Sequence, residues 1–222
     1  MNKITKSAHN WLAHKINNEC FIRVSRHLKG RVLDLGCGTA PYKKDILNTA
    51  NEYVGVDWEN TFGDTCNIDV FCDLCKSLPF PECHADTIVS FQVVEHLPEP
   101  DFFLSECRRV LRPGGCLIIT VPFMWHVHDA PYDYFRFTKH GLEYLLKKNG
   151  FEINEISENT GFWQMTALKL NYHTVRFAKG PLKYLFVPFW WLTQTVSPLL
   201  DRIDRHPQET ASYTAVATKK SE

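Results

Sequence analysis

The sequence predicts one doubly wound α/β domain, in which a mostly parallel β-sheet carries helices on both faces. Two observations predict this fold class. Short, continuously apolar strands alternate with helical segments along residues 30–156, as is typical of parallel sheets covered on both sides. The first of these strands ends in a glycine-containing turn, at the edge where such sheets bind ligands. A chain of 222 residues suffices for one such core with an added helical segment.

The individual elements follow from the spacing of apolar residues. Residues 4–28 form an amphipathic helix, because Leu12 and Ile16 begin a stripe that recurs every four residues. Later helices end at the breakers Gly114 and Gly150. The predicted strands cover residues 32–35, 53–57, 87–91, 116–121, 151–156 and 213–218.

The chain therefore divides into four segments. We expect an N-terminal helical cap at residues 1–29, which lies over the ligand, and a ligand-binding sheet domain at residues 30–159. A helical insertion at residues 160–208 separates this domain from its final strand and tail at residues 209–222.

Composition excludes several classes of protein. Lys and Arg number 25 and Asp and Glu number 25, so the basic surface of a dedicated nucleic-acid binder is missing and we expect no nucleic-acid partner. A hydrophobic content of 44% with 23% charged residues excludes a disordered chain. The eight cysteines and the lack of an apolar leader in the first thirty residues indicate a reducing, cytoplasmic location.

The turn after the first strand has the features of a nucleoside site. Gly36 permits a tight turn, and Gly38 removes a side chain so that the backbone can lie against a ligand. Asp57 ends the second strand about 20 residues later, at the offset where an acidic side chain meets ribose hydroxyls. Pro41 stands where a dinucleotide fingerprint has its third glycine. The pattern predicts a nucleoside without a pyrophosphate and disfavours a nucleotide-dependent oxidoreductase.

These residues resemble the motifs of class I S-adenosylmethionine-dependent methyltransferases of the type 11 kind. The resemblance is carried by residues 32–39, 54–57, 73–74, 91–97 and 109–115. It implies a Rossmann-like seven-stranded sheet whose last strand runs antiparallel, S-adenosyl-L-methionine as the cofactor, and methyl transfer as the reaction.

The resemblance also implies which residues hold the cofactor. Asp34 would lie near its amino group, Asp57 would hold the ribose, and Trp58 would lie against the adenine. For Glu95 and His96, a place beside the methyl donor and a role in helix capping and surface packing stay open. The implied cofactor-binding residues are Asp34, Gly36, Cys37, Gly38, Asp57, Trp58, Asp73, Leu74, Phe91 and Gln92.

The loop after the fourth strand, residues 122–138, is dense in functional groups and should face the methyl donor. If the residues before Pro131 are extended, His126 and His128 point to the same side. A histidine, with a pKa of about 6.5, can take a proton from a hydroxyl as the methyl arrives. Our hypothesis is that His128 is the general base and that His126 helps to bind the acceptor.

Asp133 and Arg136 complete the candidate catalytic set, although they could instead pair one helical turn apart and fix the loop. In that alternative, Thr138 caps the next helix. We expect no metal; a divalent ion held by His126, His128 and an aspartate of the loop is the weaker alternative. The single CxxC pattern also disfavours zinc. We expect small buried side chains at Cys66, Cys72, Cys75 and Cys83.

The composition of the loop further resembles bacterial methyltransferases linked to polysaccharide and glycolipid assembly. This implies a sugar hydroxyl as the acceptor, on a small molecule or a lipid-linked glycan. The alternatives are a quinone-like or other lipophilic acceptor, and a non-catalytic cofactor-binding partner subunit.

The insertion carries basic residues followed by the aromatic run 184–192, an order that suits a membrane interface. Pro188 and Pro198 interrupt the run, which disfavours a spanning helix. Peripheral membrane contact through residues 176–200 at the inner face of the membrane, a lid over the acceptor pocket and a homodimer contact stay open as alternatives.

Overall fold

The computed structural model describes residues 4–61 and 64–220. The ends of the predicted cap, residues 1–3, and of the predicted tail, residues 221–222, lie outside the described residues. The elements are α1 (Trp11–Val24), β1 (Arg31–Leu35), α2 (Lys43–Leu47), β2 (Glu52–Asp57), β3 (Val70–Phe71), β4 (Ala85–Phe91), α3 (Pro100–Val110), β5 (Leu111–Pro122), α4 (Lys139–Lys148), β6 (Phe151–Glu158), α5 (Phe162–Thr174), α6 (Lys183–Ile203) and β7 (Ser212–Lys219).

The strands form one seven-stranded sheet in the order β3-β2-β1-β4-β5-β7-β6. β1 is parallel to β2 and β4, and β4 is parallel to β5. The last strand, β7, runs antiparallel between β5 and β6. The predicted Rossmann-like fold class is therefore confirmed. Strand order reverses between β1 and β4, so the crevice for a ligand lies at the carboxyl ends of these strands.

The core of the sheet forms because its central strands are apolar on both faces. Leu117, Ile118 and Ile119 of β5 are fully buried, as a strand covered on both sides requires. On α3, Phe103 and Cys107 belong to the predicted apolar face and are buried. This packing fixes the strand ends from which the functional residues project.

Several features differ from the sequence predictions. The helix predicted at residues 4–28 is shorter, because α1 covers Trp11–Val24 and a 3₁₀ turn follows it at Ser25–His27. Leu111, which was predicted to extend the apolar face of α3, begins β5 instead. β3 was missed because it contains only Val70 and Phe71, and Phe71 is exposed. Finally, Cys66, Cys75 and Cys83 are exposed free thiols and Cys72 is half-buried, so the prediction of small buried side chains is wrong for the first three and holds only in part for Cys72.

The chain forms two compact units. Of the described residues, one unit contains 24–61, 64–157 and 213–220, with nearly all of the sheet, and the other contains 4–23 and 158–212. In the second unit, the backbone N–H of Leu12 on α1 donates a hydrogen bond to Oε1 of Gln194 on α6, at 2.8 Å. The N-terminal helix and the insertion, two segments in the sequence analysis, thus share one unit.

α6 packs against α5 within this helical unit. Trp190 is buried, and its Nε1 donates a hydrogen bond to Oγ1 of Thr174, at 2.9 Å. The carboxylate of Asp201 accepts hydrogen bonds from the backbone N–H groups at the start of α5, including Trp163 at 2.9 Å. Among residues 4–61 and 64–220, no helix has both the length and the apolarity to span a membrane.

Candidate active site

A cavity of about 560 Å³ opens at the carboxyl ends of β1, β2 and β4. Most of the predicted cofactor-binding residues meet there. Those that line the cavity are Gly36, Gly38, Asp57, Trp58, Asp73, Leu74 and Gln92. The other polar groups in its wall include His96, Asp129, Tyr132 and Tyr134.

The turn after β1 exposes backbone without a side chain at Gly38. Gly36 has φ +79°, and its N–H donates to the carbonyl oxygen of Val56 at 2.8 Å, which bends the chain sharply after β1. A Cβ at this position would lie 2.4 Å from Cγ2 of Val93. At Gly38, by contrast, a Cβ would meet nothing within 4 Å. The turn therefore has room for a ligand against its backbone.

The Asp57 carboxylate lies against this turn, as the sequence predicts. Its Oδ2 accepts a hydrogen bond from the N–H of Gly38 at 2.6 Å, and its Oδ1 accepts one from the N–H of Trp58 at 2.7 Å. An ionised carboxylate can accept about four hydrogen bonds. Asp57 therefore keeps capacity for two hydroxyl groups of a ligand in the cavity.

Three predicted cofactor residues lie outside the set that lines the cavity. Asp34 is buried and accepts a hydrogen bond from the Tyr53 hydroxyl at 2.8 Å, and burial raises the pKa of its carboxyl group to about 7. Burial also raises the pKa of the Cys37 thiol to about 12. The ring of Phe91 packs against Tyr42, with centroids 5.5 Å apart. Asp34 and Cys37 thus pack beside the glycine turn, and Phe91 packs at the carboxyl end of β4.

Asp73 and Gln92, which we predict at the adenine end and the methyl-donor end of the pocket, are held by different hydrogen bonds. Oδ1 of Asp73 accepts a hydrogen bond from the N–H of Cys75 at 3.0 Å, which lowers the pKa of the Asp73 carboxyl group. Gln92 has φ +57°, and its side-chain Nε2 donates to Oγ1 of Thr120 at 3.0 Å. A non-glycine residue in this conformation is strained, and such strain is concentrated at functional sites.

Asp133 and Arg136 fix the loop after β5. They form a two-armed ion pair with N–O distances of 2.6 and 2.7 Å, and Arg136 also donates to the carbonyl oxygen of His126 at 2.7 Å. The guanidinium group holds the pKa of Asp133 well below its usual range. Neither side chain lines the cavity, so the loop-fixing alternative describes their contacts. Thr138 accepts a hydrogen bond from the N–H of Gly141 at 3.0 Å and caps α4, as predicted.

The two loop histidines have different surroundings. The N–H of His128 donates to Oδ2 of Asp133 at 2.8 Å, and its ring Nδ1 lies 3.4 Å from the same oxygen. The His126 ring is exposed and lies against Trp125, with centroids 4.7 Å apart. The two imidazole rings are 6.4 Å apart, and neither belongs to the cavity wall.

The structure adds Glu95 and His96, for which the sequence left two roles open. Glu95 is fully buried, which rules out surface packing for this side chain, and burial raises the pKa of its carboxyl group to about 8. His96 lines the cavity, and its ring centroid lies 4.8 Å from that of His128. The sequence signals for both residues were their position directly after β4, at the ligand-binding edge of the sheet, and their place in the methyltransferase-like segment 91–97.

Comparison with known proteins finds several methyltransferases to which this chain is similar. The family model Methyltransf_11, described as "Methyltransferase domain", matches residues 33–119. The chain is 30% identical over 146 residues to a "Probable S-adenosylmethionine-dependent methyltransferase" of Mycolicibacterium smegmatis, covering 63% of this chain and 55% of that protein. It is 29% identical over 102 residues to a "Ubiquinone biosynthesis O-methyltransferase" of Sinorhizobium fredii, covering 41% of each. The chain thus spans about half, or less, of these curated relatives.

Among solved structures, a SAM-dependent methyltransferase of Archaeoglobus fulgidus has the same fold. The TM-score is 0.63 at 19% identity, and the alignment covers 92% of this chain and 94% of that one. The segment matched by the family model contains every predicted cofactor-binding residue. The matched segment ends before the loop at residues 122–138. Our assignment of acceptor-binding residues in that loop therefore depends on the structure of this chain.

Proposed function

We propose that the protein is an S-adenosyl-L-methionine-dependent methyltransferase that acts on a hydroxyl group of a small-molecule acceptor. The observation that carries this proposal is the Asp57 carboxylate, hydrogen-bonded to the glycine turn at the wall of the cavity. A domain match over residues 33–119 and the name of the Mycolicibacterium relative support the same reaction.

The protein would contribute binding and orientation. The bound cofactor supplies a methyl group on a positively charged sulfur. Asp57 accepts hydrogen bonds from the ribose, and Leu74 packs on the adenine. The Trp58 and Tyr132 rings meet edge to face with centroids 5.3 Å apart, and both line the cavity. This contact gives the cavity an aromatic wall.

We further propose a sugar hydroxyl as the acceptor, on a free sugar or a lipid-linked glycan. The support is the density of hydrogen-bonding groups in the cavity wall beyond the cofactor residues, where His96, Asp129 and Tyr134 lie. His128 would act on the proton of the acceptor hydroxyl, and His126 would help to bind the acceptor.

A quinone-like or other lipophilic acceptor is the second candidate. Leu97 and Pro98 add apolar surface to the same wall. The Sinorhizobium relative is named for ubiquinone biosynthesis, and its match with this chain is 29% identical.

Titration calorimetry with S-adenosylhomocysteine and with NAD⁺ tests the cofactor. We expect S-adenosylhomocysteine to bind and NAD⁺ to give no heat, because the turn carries Pro41 in place of the glycine that a pyrophosphate requires. A protein that binds NAD⁺ and not S-adenosylhomocysteine would contradict the proposal. Transfer of labelled methyl from the cofactor to candidate glycans and quinols then identifies the acceptor, and transfer to none would favour the non-catalytic partner subunit.

We also propose peripheral membrane contact through residues 176–200, which would hold the protein at the cytoplasmic face of a membrane. An apolar stripe on α6 supports this contact. Leu185, Leu192 and Leu199 recur at seven-residue spacing and are 72%, 54% and 51% exposed. The basic residues Arg176, Lys179 and Lys183 precede the stripe. Trp190 belongs to the interior of the helical unit and takes no part in this surface.

Vesicle flotation tests the stripe. The Leu185→Glu/Leu192→Glu variant should float with anionic phospholipid vesicles several-fold less than wild type. The two substitutions replace apolar side chains that would insert into the membrane interface with charged ones. Leu47→Glu is the matched control, since Leu47 is a helical leucine that is 46% exposed in the sheet unit. Equal flotation of all three proteins would contradict membrane contact. A change from dimer to monomer in sedimentation would favour the homodimer alternative.

A further inference from the structure

Glu95, directly before the cavity residue His96 in the sequence, carries a fully buried carboxyl group. It lies in the turn of 3₁₀ helix at Val94–His96, directly after β4, and its side chain has 0% exposure. Within residues 4–61 and 64–220, neither Oε1 nor Oε2 has a hydrogen-bond partner from another residue. Buried polar groups are almost always paired in folded proteins, so an unpaired buried carboxyl group leaves both oxygens available to a ligand or an ion.

Two imidazole groups face this carboxyl group. Among the described residues, Glu95, His96 and His128 each offer one ligand atom, and these atoms lie within 4.8 Å of one another. Nε2 of His96 is 3.8 Å from Oε1 of Glu95, which is too long for a hydrogen bond. Ligand atoms that share one ion lie roughly 3 to 4.5 Å apart. Small side-chain rotations would therefore bring all three onto a common ion.

The other nitrogens of both rings are already held. Nδ1 of His96 donates a hydrogen bond to the carbonyl oxygen of Tyr132 at 2.6 Å, which leaves Nε2 as the acceptor in the neutral ring. Nδ1 of His128 lies 3.4 Å from Oδ2 of Asp133 and also 3.4 Å from Nη2 of Arg136, which is itself paired with Asp133. Histidines that bind metals usually have such a carbonyl or carboxylate partner on the second nitrogen, because it orients the ring.

We propose that Glu95, His96 and His128 bind one divalent first-row transition-metal cation beside the cavity, at the part of its wall that His96 forms. Two imidazoles and one carboxylate suit Mn²⁺, Fe²⁺, Co²⁺ or Zn²⁺. Three protein ligands leave coordination positions open for a further ligand, as in catalytic metal sites. From the sequence we expect no metal, and the weaker alternative of a divalent ion involves His128 but neither Glu95 nor His96.

The role of the ion in catalysis rests on the proposed function. An acceptor hydroxyl that occupies an open position becomes more acidic and loses its proton to solvent. Its oxygen then forms the bond to the methyl carbon, and the carbon–sulfur bond breaks with its electron pair going to sulfur. The products are the methyl ether, S-adenosylhomocysteine and one proton. In this role His128 acts as a metal ligand, which replaces the free general base of the sequence hypothesis.

Calorimetry with Mn²⁺ alone tests the site, on protein freed of metal with a chelator. We expect wild type to bind one Mn²⁺, and Glu95→Gln, His96→Ala and His128→Ala each to bind it at least about tenfold more weakly. His140→Ala is the control, because His140 lies on α4 and is exposed. If Glu95→Gln does not fold, the two histidine variants carry the test, since His128 lies in a loop.

Parallel titrations with S-adenosylhomocysteine separate this inference from the proposed function. Wild type that binds S-adenosylhomocysteine but not Mn²⁺ would overturn the metal site and leave the proposed function standing. Mn²⁺ binding that all three variants retain would also overturn it, because the ion would then lie elsewhere. Loss of Mn²⁺ binding in the variants with S-adenosylhomocysteine binding unchanged supports the site. Binding of Mn²⁺ at the triad without any binding of S-adenosylhomocysteine would support the metal site and overturn the proposed function.

Discussion

Asp57→Ala is expected to lower the affinity for S-adenosylhomocysteine by about 100-fold, with the fold retained. The variant removes a charged acceptor that we assign to two ribose hydroxyls, and hydrogen bonds to charged groups contribute about 1.5 to 3 kcal/mol each. A loss of about 3 kcal/mol corresponds to roughly 100-fold in the dissociation constant. Calorimetry measures the affinity directly.

Part of the effect of this substitution would act through the turn itself. Asp57 also accepts hydrogen bonds from the N–H groups of Gly38 and Trp58, and the alanine variant leaves both without this acceptor. Asp57→Asn keeps one side-chain oxygen for Gly38 and should lose less affinity than the alanine variant. A thermal melt of each variant separates weakened binding from a weakened fold.

Asp69→Asn is the matched control for Asp57. Its Oδ2 also accepts a hydrogen bond from a backbone N–H of β2, that of Gly55 at 2.8 Å, but Asp69 does not line the cavity. We expect a small loss of stability and an affinity within about twofold of wild type. If Asp57→Ala binds as tightly as this control, the ribose assignment fails and the proposed cofactor loses its main support.

The Asp57 site could be predicted because it depends on local sequence. A strand that ends in an acidic residue, beside a strand that ends in a glycine turn, brings the two ends together in any parallel sheet. The register that pairs Leu35 with Val56 does this here. The positions of Gly36, Gly38 and Asp57 therefore needed only the pattern of strands and turns.

Glu95 could not be assigned in this way, because its burial depends on a distant segment. The N–H groups of Tyr134 and Phe135 donate to the Glu95 backbone oxygen at 2.9 and 3.3 Å, so the loop after β5 folds back over it. No local pattern in the sequence predicts that the loop after β5 folds back over Glu95. For the same reason, sequence placed Asp133 and Arg136 in the candidate catalytic set, although their contacts hold the loop.

His128→Ala is expected to lower kcat by a factor of about 100 to 10,000, the range for loss of a group that assists proton removal. The affinity for S-adenosylhomocysteine should stay within about twofold of wild type, because His128 belongs to the loop and not to the cofactor residues that line the cavity. Single-turnover transfer of labelled methyl to the identified acceptor measures the chemical step, and calorimetry measures the affinity.

Two further histidine variants serve as a comparison and a control for the His128→Ala result. His126→Ala should raise KM more than it lowers kcat, since this exposed ring is assigned to acceptor binding. His140→Ala should match wild type in both constants. If His128→Ala keeps wild-type kcat, His128 has no role at the acceptor hydroxyl.

The same variant distinguishes a metal ligand from a free base. Removing one of three ligands weakens the binding of the ion but leaves Glu95 and His96 in place, so millimolar Mn²⁺ should restore part of the lost kcat. If His128 is instead a free base, added Mn²⁺ should not restore kcat, because the ion cannot replace the lost proton acceptor. Activity of His128→Ala that rises with Mn²⁺ concentration therefore favours the metal ligand, and activity that stays flat favours the free base.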